Sequence, residues 1–109
     1  MLEGLLESPV KEKVLLFLLA NDDAYPRDIA RNFDLNFSTV FYQLRKLEDA
    51  GVLCSRLRGK VRLYSLNPRY PFRRELAALL QKTYAFLSEA DKNKYYIRRQ
   101  RPRRAGKPL

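Results

Sequence analysis

Residues 36–66 read NFSTVFYQLRKLEDAGVLCSRLRGKVRLYSL, and the order of patterns inside this stretch decides the fold. Val40, Leu44 and Leu47 recur at i, i+4 and i+7, so they share one face of a helix. Asn36 is suited to cap that helix, with Ser38 and Thr39 in its first turn, and Gly51 supplies the left-handed residue that stops it. Two short runs follow, Val52–Leu57 and Val61–Leu66, joined by Arg58-Gly59-Lys60. Both alternate with period two and are rich in Val, Leu and Tyr, which predicts a β-hairpin with the glycine in its turn.

Upstream, Ser8-Pro9 is a helix start, with serine as cap and proline in the first helical position. The run Val14–Ala20 leaves almost no polar face, so this helix should be buried on more than one side. Asn21-Asp22-Asp23 ends it. Pro26 opens a short helix whose inner face is Ile29, Ala30 and Phe33, closed by Asp34-Leu35-Asn36. A short helix, a three-residue turn and a longer basic helix make a helix-turn-helix. Ala30 permits close crossing of the two helices, and Leu35 should fill the space between them.

Downstream, Pro68 and Pro71 break the chain, and Phe72–Ala90 is expected to be one long helix. Its apolar stripe is broader than the last helix of a small monomer requires. Two readings are open: the helix closes the monomer core, or it dimerises with help from the first helix. The second assigns Leu15, Leu76, Leu80, Thr83, Tyr84 and Leu87 to a homodimer contact. Met1–Glu7 is too short to hold a helix alone. From Asp91 onward aliphatic residues almost vanish and arginines accumulate, so the expected organisation is a folded unit over 1–90 and a basic, flexible tail over 91–109. That tail, with Tyr95 and Tyr96, could be a solubilising extension or a basic arm on nucleic acid.

The chain has 109 residues and a net charge of +10, unevenly placed. Residues 1–36 carry four basic and seven acidic side chains; residues 37–74 carry nine and two; residues 90–109 carry eight and one. Positive charge gathered into two blocks is the footprint of a nucleic-acid binder. Histidine is absent and Cys54 is the only cysteine. That removes imidazole-based catalysis, disulfides and most metal sites, and no phosphate-cradling loop is present, so neither enzyme activity, cofactor nor metal is expected. No apolar run approaches the ~18 residues of a membrane span, and no signal peptide is seen, so the expected location is the cytoplasm.

In the central helix, Ser38, Thr39, Tyr42 and Gln43 fall away from Val40, Leu44 and Leu47, while Arg45 and Lys46 flank the apolar face. Phe37 and Phe41 lie on the outer side as well. They could pack against the earlier helices or the hairpin, touch thymine methyl groups, or form a protein-binding surface. Arg56, Arg58, Lys60 and Arg62 should project from one rim of the hairpin. They either guard a solvated edge or contact phosphate.

With these residues in view, the sequence resembles the winged helix-turn-helix transcriptional regulators of the ArsR-like superfamily. The likeness rests on Ser38-Thr39-Val40, Leu44, the Leu47-x-x-Ala50-Gly51-Val52 ending, and an arginine-rich hairpin closing in Tyr64-x-Leu66. It implies a mainly α fold with a small β-hairpin (α+β): a three-helix core, a two-stranded wing and a long C-terminal helix. It further implies double-stranded DNA as partner. The groove-reading positions match Phe37, Ser38, Thr39, Phe41, Tyr42 and Gln43, and the wing contacts match Arg56, Arg58, Lys60 and Arg62. The metal-sensing ligands of classical members have no counterpart here. The alternative from another class is a winged-helix interaction module, an accessory subunit docking through Phe37, Phe41 and the C-terminal helix.

Overall fold

The computed structural model describes residues 1–97. A first short helix, α1 (Glu3–Leu6), folds back so that Leu2 and Leu6 pack against the core. Its anchor is Glu12, whose carboxylate accepts from the Leu2 N–H at 2.9 Å and from the terminal ammonium at 3.3 Å. Those donors account for a carboxylate buried in the protein. The next helix, α2 (Pro9–Asn21), starts as expected: Ser8 Oγ accepts from the Lys11 N–H at 3.0 Å. Every residue from Val14 to Leu18 is buried, because α4, α5, the sheet and the C-terminal segment all pack around this helix. The all-round apolar pattern is therefore satisfied within one chain.

A strand follows that periodicity could not show, β1 (Asp23–Ala24). It is two residues long and pairs antiparallel with β3, Asp23 against Ser65 and Ala24 against Tyr64. Helix α3 (Pro26–Phe33) ends at Asp34, which takes a left-handed conformation with φ 55°. The Leu35 N–H then donates to the Ala30 carbonyl at 2.8 Å, and Leu35 packs against the core between the two helices. Helix α4 (Phe37–Asp49) is capped by Asn36, whose Oδ1 accepts from the Ser38 N–H at 2.9 Å. Val40, Leu44 and Leu47 are its buried residues, and Gly51 closes it at φ 83°.

The hairpin consists of β2 (Leu53–Arg58) and β3 (Val61–Leu66), the first strand shifted one residue from the expected span. Arg58 pairs with Val61, so the turn is Gly59-Lys60, and Gly59 has φ 67°. A glycine at the first position of a two-residue turn matches the twist of the flanking strands. The wing is thus the outer part of a three-stranded sheet of order β1-β3-β2 rather than a free two-stranded ribbon.

The C-terminal region departs most from expectation. The long helix stops early, as α5 (Arg73–Ala85). Ser88 caps a further turn, α6 (Glu89–Asp91), and Lys92–Tyr96 continue as one π-helical turn. The wider turn brings Tyr95 and Tyr96 onto the α2/α3 surface. Tyr95 stacks on Phe33 with centroids 5.6 Å apart, and Tyr96 meets Phe33 and Tyr84 edge-on at 5.5 and 5.8 Å. Asn32 Nδ2 donates to the Tyr95 carbonyl and Asn21 Nδ2 to the Tyr96 carbonyl at 2.7 Å. Residues 91–97 therefore belong to the folded unit, and the boundary drawn at 90/91 is corrected; the rest of the expected tail lies outside the described residues. The set of residues expected at a dimer contact changes too. Leu15, Leu80 and Thr83 are buried inside this chain and cannot face a second copy, whereas Leu76, Tyr84 and Leu87 keep part of their surface.

Candidate nucleic-acid interface

The outer side of α4 lies beside one face of the hairpin. A helix turns 100° per residue, so the buried set Val40, Leu44 and Leu47 leaves Ser38, Tyr42, Arg45 and Lys46 pointing outward. All four are exposed, as are Thr39 and Phe37. None of Arg45, Lys46, Arg56, Arg58, Lys60 or Arg62 has a carboxylate at ion-pair distance among the described residues. Aromatic faces hold some of these cations instead: the Arg45 guanidinium lies 5.8 Å from the Phe41 ring and the Lys46 ammonium 5.4 Å from the Tyr42 ring.

Gln43 differs from its expected place. It sits between the buried face and solvent, and its Oε1 is buried without a hydrogen-bond partner. An amide held this way does not offer its full edge to a base. Phe37 and Phe41 stack on each other, centroids 5.7 Å apart and planes within 12°. Phe37 is 40% exposed and Phe41 is half-buried.

The hairpin register corrects the expected single rim. Cross-strand partners share a face and neighbours alternate. Pairing of Arg56 with Leu63 and Arg58 with Val61 sets those two arginines on one side. Leu57 pairs with Arg62 and Ser55 with Tyr64 on the other, the side turned to α4. There Arg62 donates to Ser55 Oγ at 3.2 Å, and Ser55 donates to Glu48 Oε2 at 2.6 Å, tying wing to helix. The Tyr64 hydroxyl is buried against this chain without a partner of its own. Burial, and then the negative charge of Glu48, hold its pKa above the ordinary tyrosine value. The wing thus carries cations on both faces.

Between α4 and the wing runs a groove of about 310 Å³. Its walls include Phe37, Phe41, Leu57 and Val61, with Arg27, Lys60 and Arg62 around them and no acidic residue. Arg27, from the start of α3, lies 5.0 Å from the Phe37 ring. Arg27, Leu57 and Val61 were missed in the sequence. Leu57 and Val61 follow strand alternation and look like core, yet they are 59% and 51% exposed because no layer covers the outer hairpin. Nothing in the sequence joined Arg27 to Phe37, since that contact depends on how α3 crosses α4.

No cluster of three or more His, Cys, Asp or Glu suited to a metal ion is found among the described residues. None of their helices is long and apolar enough to cross a membrane.

Residues 13–54 match the family model HTH_5, bacterial regulatory protein, arsR family. The fold is similar to that of the adhesin competence repressor AdcR of Streptococcus pyogenes, with a TM-score of 0.59 and 15% identity over 76% of this chain and 66% of that one. It is also similar to Lactococcus lactis ZitR, a double mutant in apo form, with a TM-score of 0.54 and 19% identity over 84% of this chain and 78% of that one. At such identities the likeness is one of fold, and the chain spans just under two thirds of the AdcR structure. No curated protein sequence is matched significantly. The matched family is one of bacterial regulatory proteins, and the similar AdcR structure is that of a repressor.

Proposed function

We propose that this ArsR-like winged helix-turn-helix chain is a transcriptional regulator that binds double-stranded DNA sequence-specifically, as a homodimer and in repressor fashion. One observation carries the reading. The outer side of α4 and both faces of the wing present Arg45, Lys46, Arg56, Arg58, Lys60 and Arg62 without a carboxylate partner among the described residues. Such a surface is complementary to a polyanion. In this reading α4 enters the major groove, Ser38, Thr39 and Tyr42 reach base edges, and the cations hold the flanking phosphates or minor groove. The sequence from Arg98 onward adds further cations and no acidic residue, which strengthens the attraction to a polyanion.

The homodimer rests on α5. Leu79 lies within α5 and Phe72 and Phe86 cap its two ends at seven-residue spacing, and they are 37%, 62% and 69% exposed. A second copy covering that stripe, beside Leu76, would place two α4 helices in successive major grooves. The operator should then be roughly palindromic with half-sites about 10 bp apart. Occupying a promoter this way blocks transcription, and the protein works in the cytoplasm with its DNA.

The test is a titration with duplex DNA over a range of salt. If about six to eight phosphates are neutralised per dimer, log K falls with log salt at a slope near −5 to −7. A slope near zero ends the reading. Replacing Arg58 and Lys60 with Ala should make the slope shallower and leave sequence preference as it was.

A further inference from the structure

We infer that the groove between α4 and the wing is an apolar slot for the C5-methyl group of a pyrimidine in the major groove of duplex DNA. The inference rests on the proposed function and deepens it by naming what the surface reads.

Four observations converge. First, a surface built only to hold phosphate has no use for exposed apolar side chains, yet Phe37 and Leu57 are 40% and 59% exposed and both line this groove, with Val61 at its rim from the other face of the wing. Second, Arg27, Lys60 and Arg62 surround it and no carboxylate does, so its occupant is an anionic molecule with an apolar edge. Duplex DNA has that character where a thymine methyl stands between two phosphate strands.

Third, the amide best suited to read a base by hydrogen bonding is committed elsewhere. The Gln43 Oε1 is buried. In the first turn of α4, Ser38 Oγ donates to Asn36 Oδ1 at 2.6 Å, so the outward face keeps only the Ser38 oxygen as acceptor and the Thr39 hydroxyl. Fourth, the geometry of the phenylalanine pair selects among apolar partners. Each ring has its neighbour against one face, 5.7 Å away, and a guanidinium close by, Arg27 at 5.0 Å from Phe37 and Arg45 at 5.8 Å from Phe41. The stacked ring and the nearby guanidinium leave little open ring face, which an unpaired base needs, whereas a methyl group needs only apolar contact. Thymine and 5-methylcytosine present the same methyl at the same place, so either can fill the slot.

The experiment uses the full chain and a duplex selected from random DNA, with binding followed by fluorescence anisotropy. Each thymine of the half-site is replaced in turn by deoxyuridine, which removes the methyl and keeps the pairing. At the contacted position affinity should fall about fourfold, the factor expected for burying one methyl-sized group. Phe37→Ala, at an exposed residue, should bind the dT and dU duplexes alike at that position. Cytosine placed there and then methylated at C5 should regain about fourfold; no regain confines the slot to thymine. Equal binding of dT and dU duplexes at every position, with tight binding retained, overturns this inference alone. A dT preference that survives Phe37→Ala overturns the assignment to this groove. Failure to bind any duplex overturns the proposed function and the slot with it.

Discussion

Replacing Tyr96 with Ala tests the least expected part of the fold, the docking of the segment after α5. Tyr96 is 6% exposed and lies among Phe33, Tyr84 and Tyr95. A tyrosine buries about 200 Å², which at about 25 cal/mol per Å² is worth ~5 kcal/mol. A denatured state that is already partly compact lowers this by roughly a quarter, leaving about 3–4 kcal/mol, in the range measured for large-to-alanine changes in cores. For a domain of this size about 1 kcal/mol moves Tm by roughly 4–8 °C, so a loss of at least about 12 °C is expected. Thermal unfolding followed by circular dichroism measures it, with Tyr42→Ala as the control. Tyr42 is 59% exposed and contributes to no core contact, so its loss should shift Tm by less than about 3 °C. If Tyr96→Ala melts within about 3 °C of the unchanged protein, the segment is not part of the cooperative unit. The reasoning from burial would then be refuted.

Asn36→Ala removes the side chain that accepts from the Ser38 N–H and should cost about 1 kcal/mol of stability, read from denaturant unfolding. Phe86→Asp places a charge on an exposed residue at the C-terminal cap of α5; it should turn the proposed dimer into a monomer of unchanged helicity by sedimentation and circular dichroism. Alkaline pH should destabilise the protein. Burial first, and then the charge of Glu12, raise the Tyr96 pKa above the ordinary 10.0, so above about pH 10 the unfolded chain releases a proton that the folded one retains. The stability conferred by the neutral tyrosine is full below that pH and is lost as pH rises further, and Tyr96→Phe should flatten this decline.

The sequence alone determined the central helix, the hairpin and the helix-turn-helix. Each is announced by signals that act within a few residues: Asn36 and Ser8 as caps, Gly51 and Gly59 in left-handed conformations, and apolar periods of 3.6 or 2. It also determined that the cations of α4 and the hairpin are exposed, because solvated charge stays outside wherever the fold puts its backbone, while the strand register decided which face of the wing each takes. Tertiary structure decided the rest. The two-residue strand β1 exists only through its pairing with β3, and two residues have no period to read. Leu15, Leu80 and Thr83 could not be sorted from surface positions by pattern, since an apolar stripe does not say which of its edges a neighbouring element covers. Tyr95 and Tyr96, set among cations, read as tail until Phe33, Asn21 and Asn32 supply the surface and donors that hold them. In the same way the groove of Arg27, Phe37, Leu57 and Val61 is a product of how α3, α4 and the wing cross, a distance relation that no local stretch of sequence encodes.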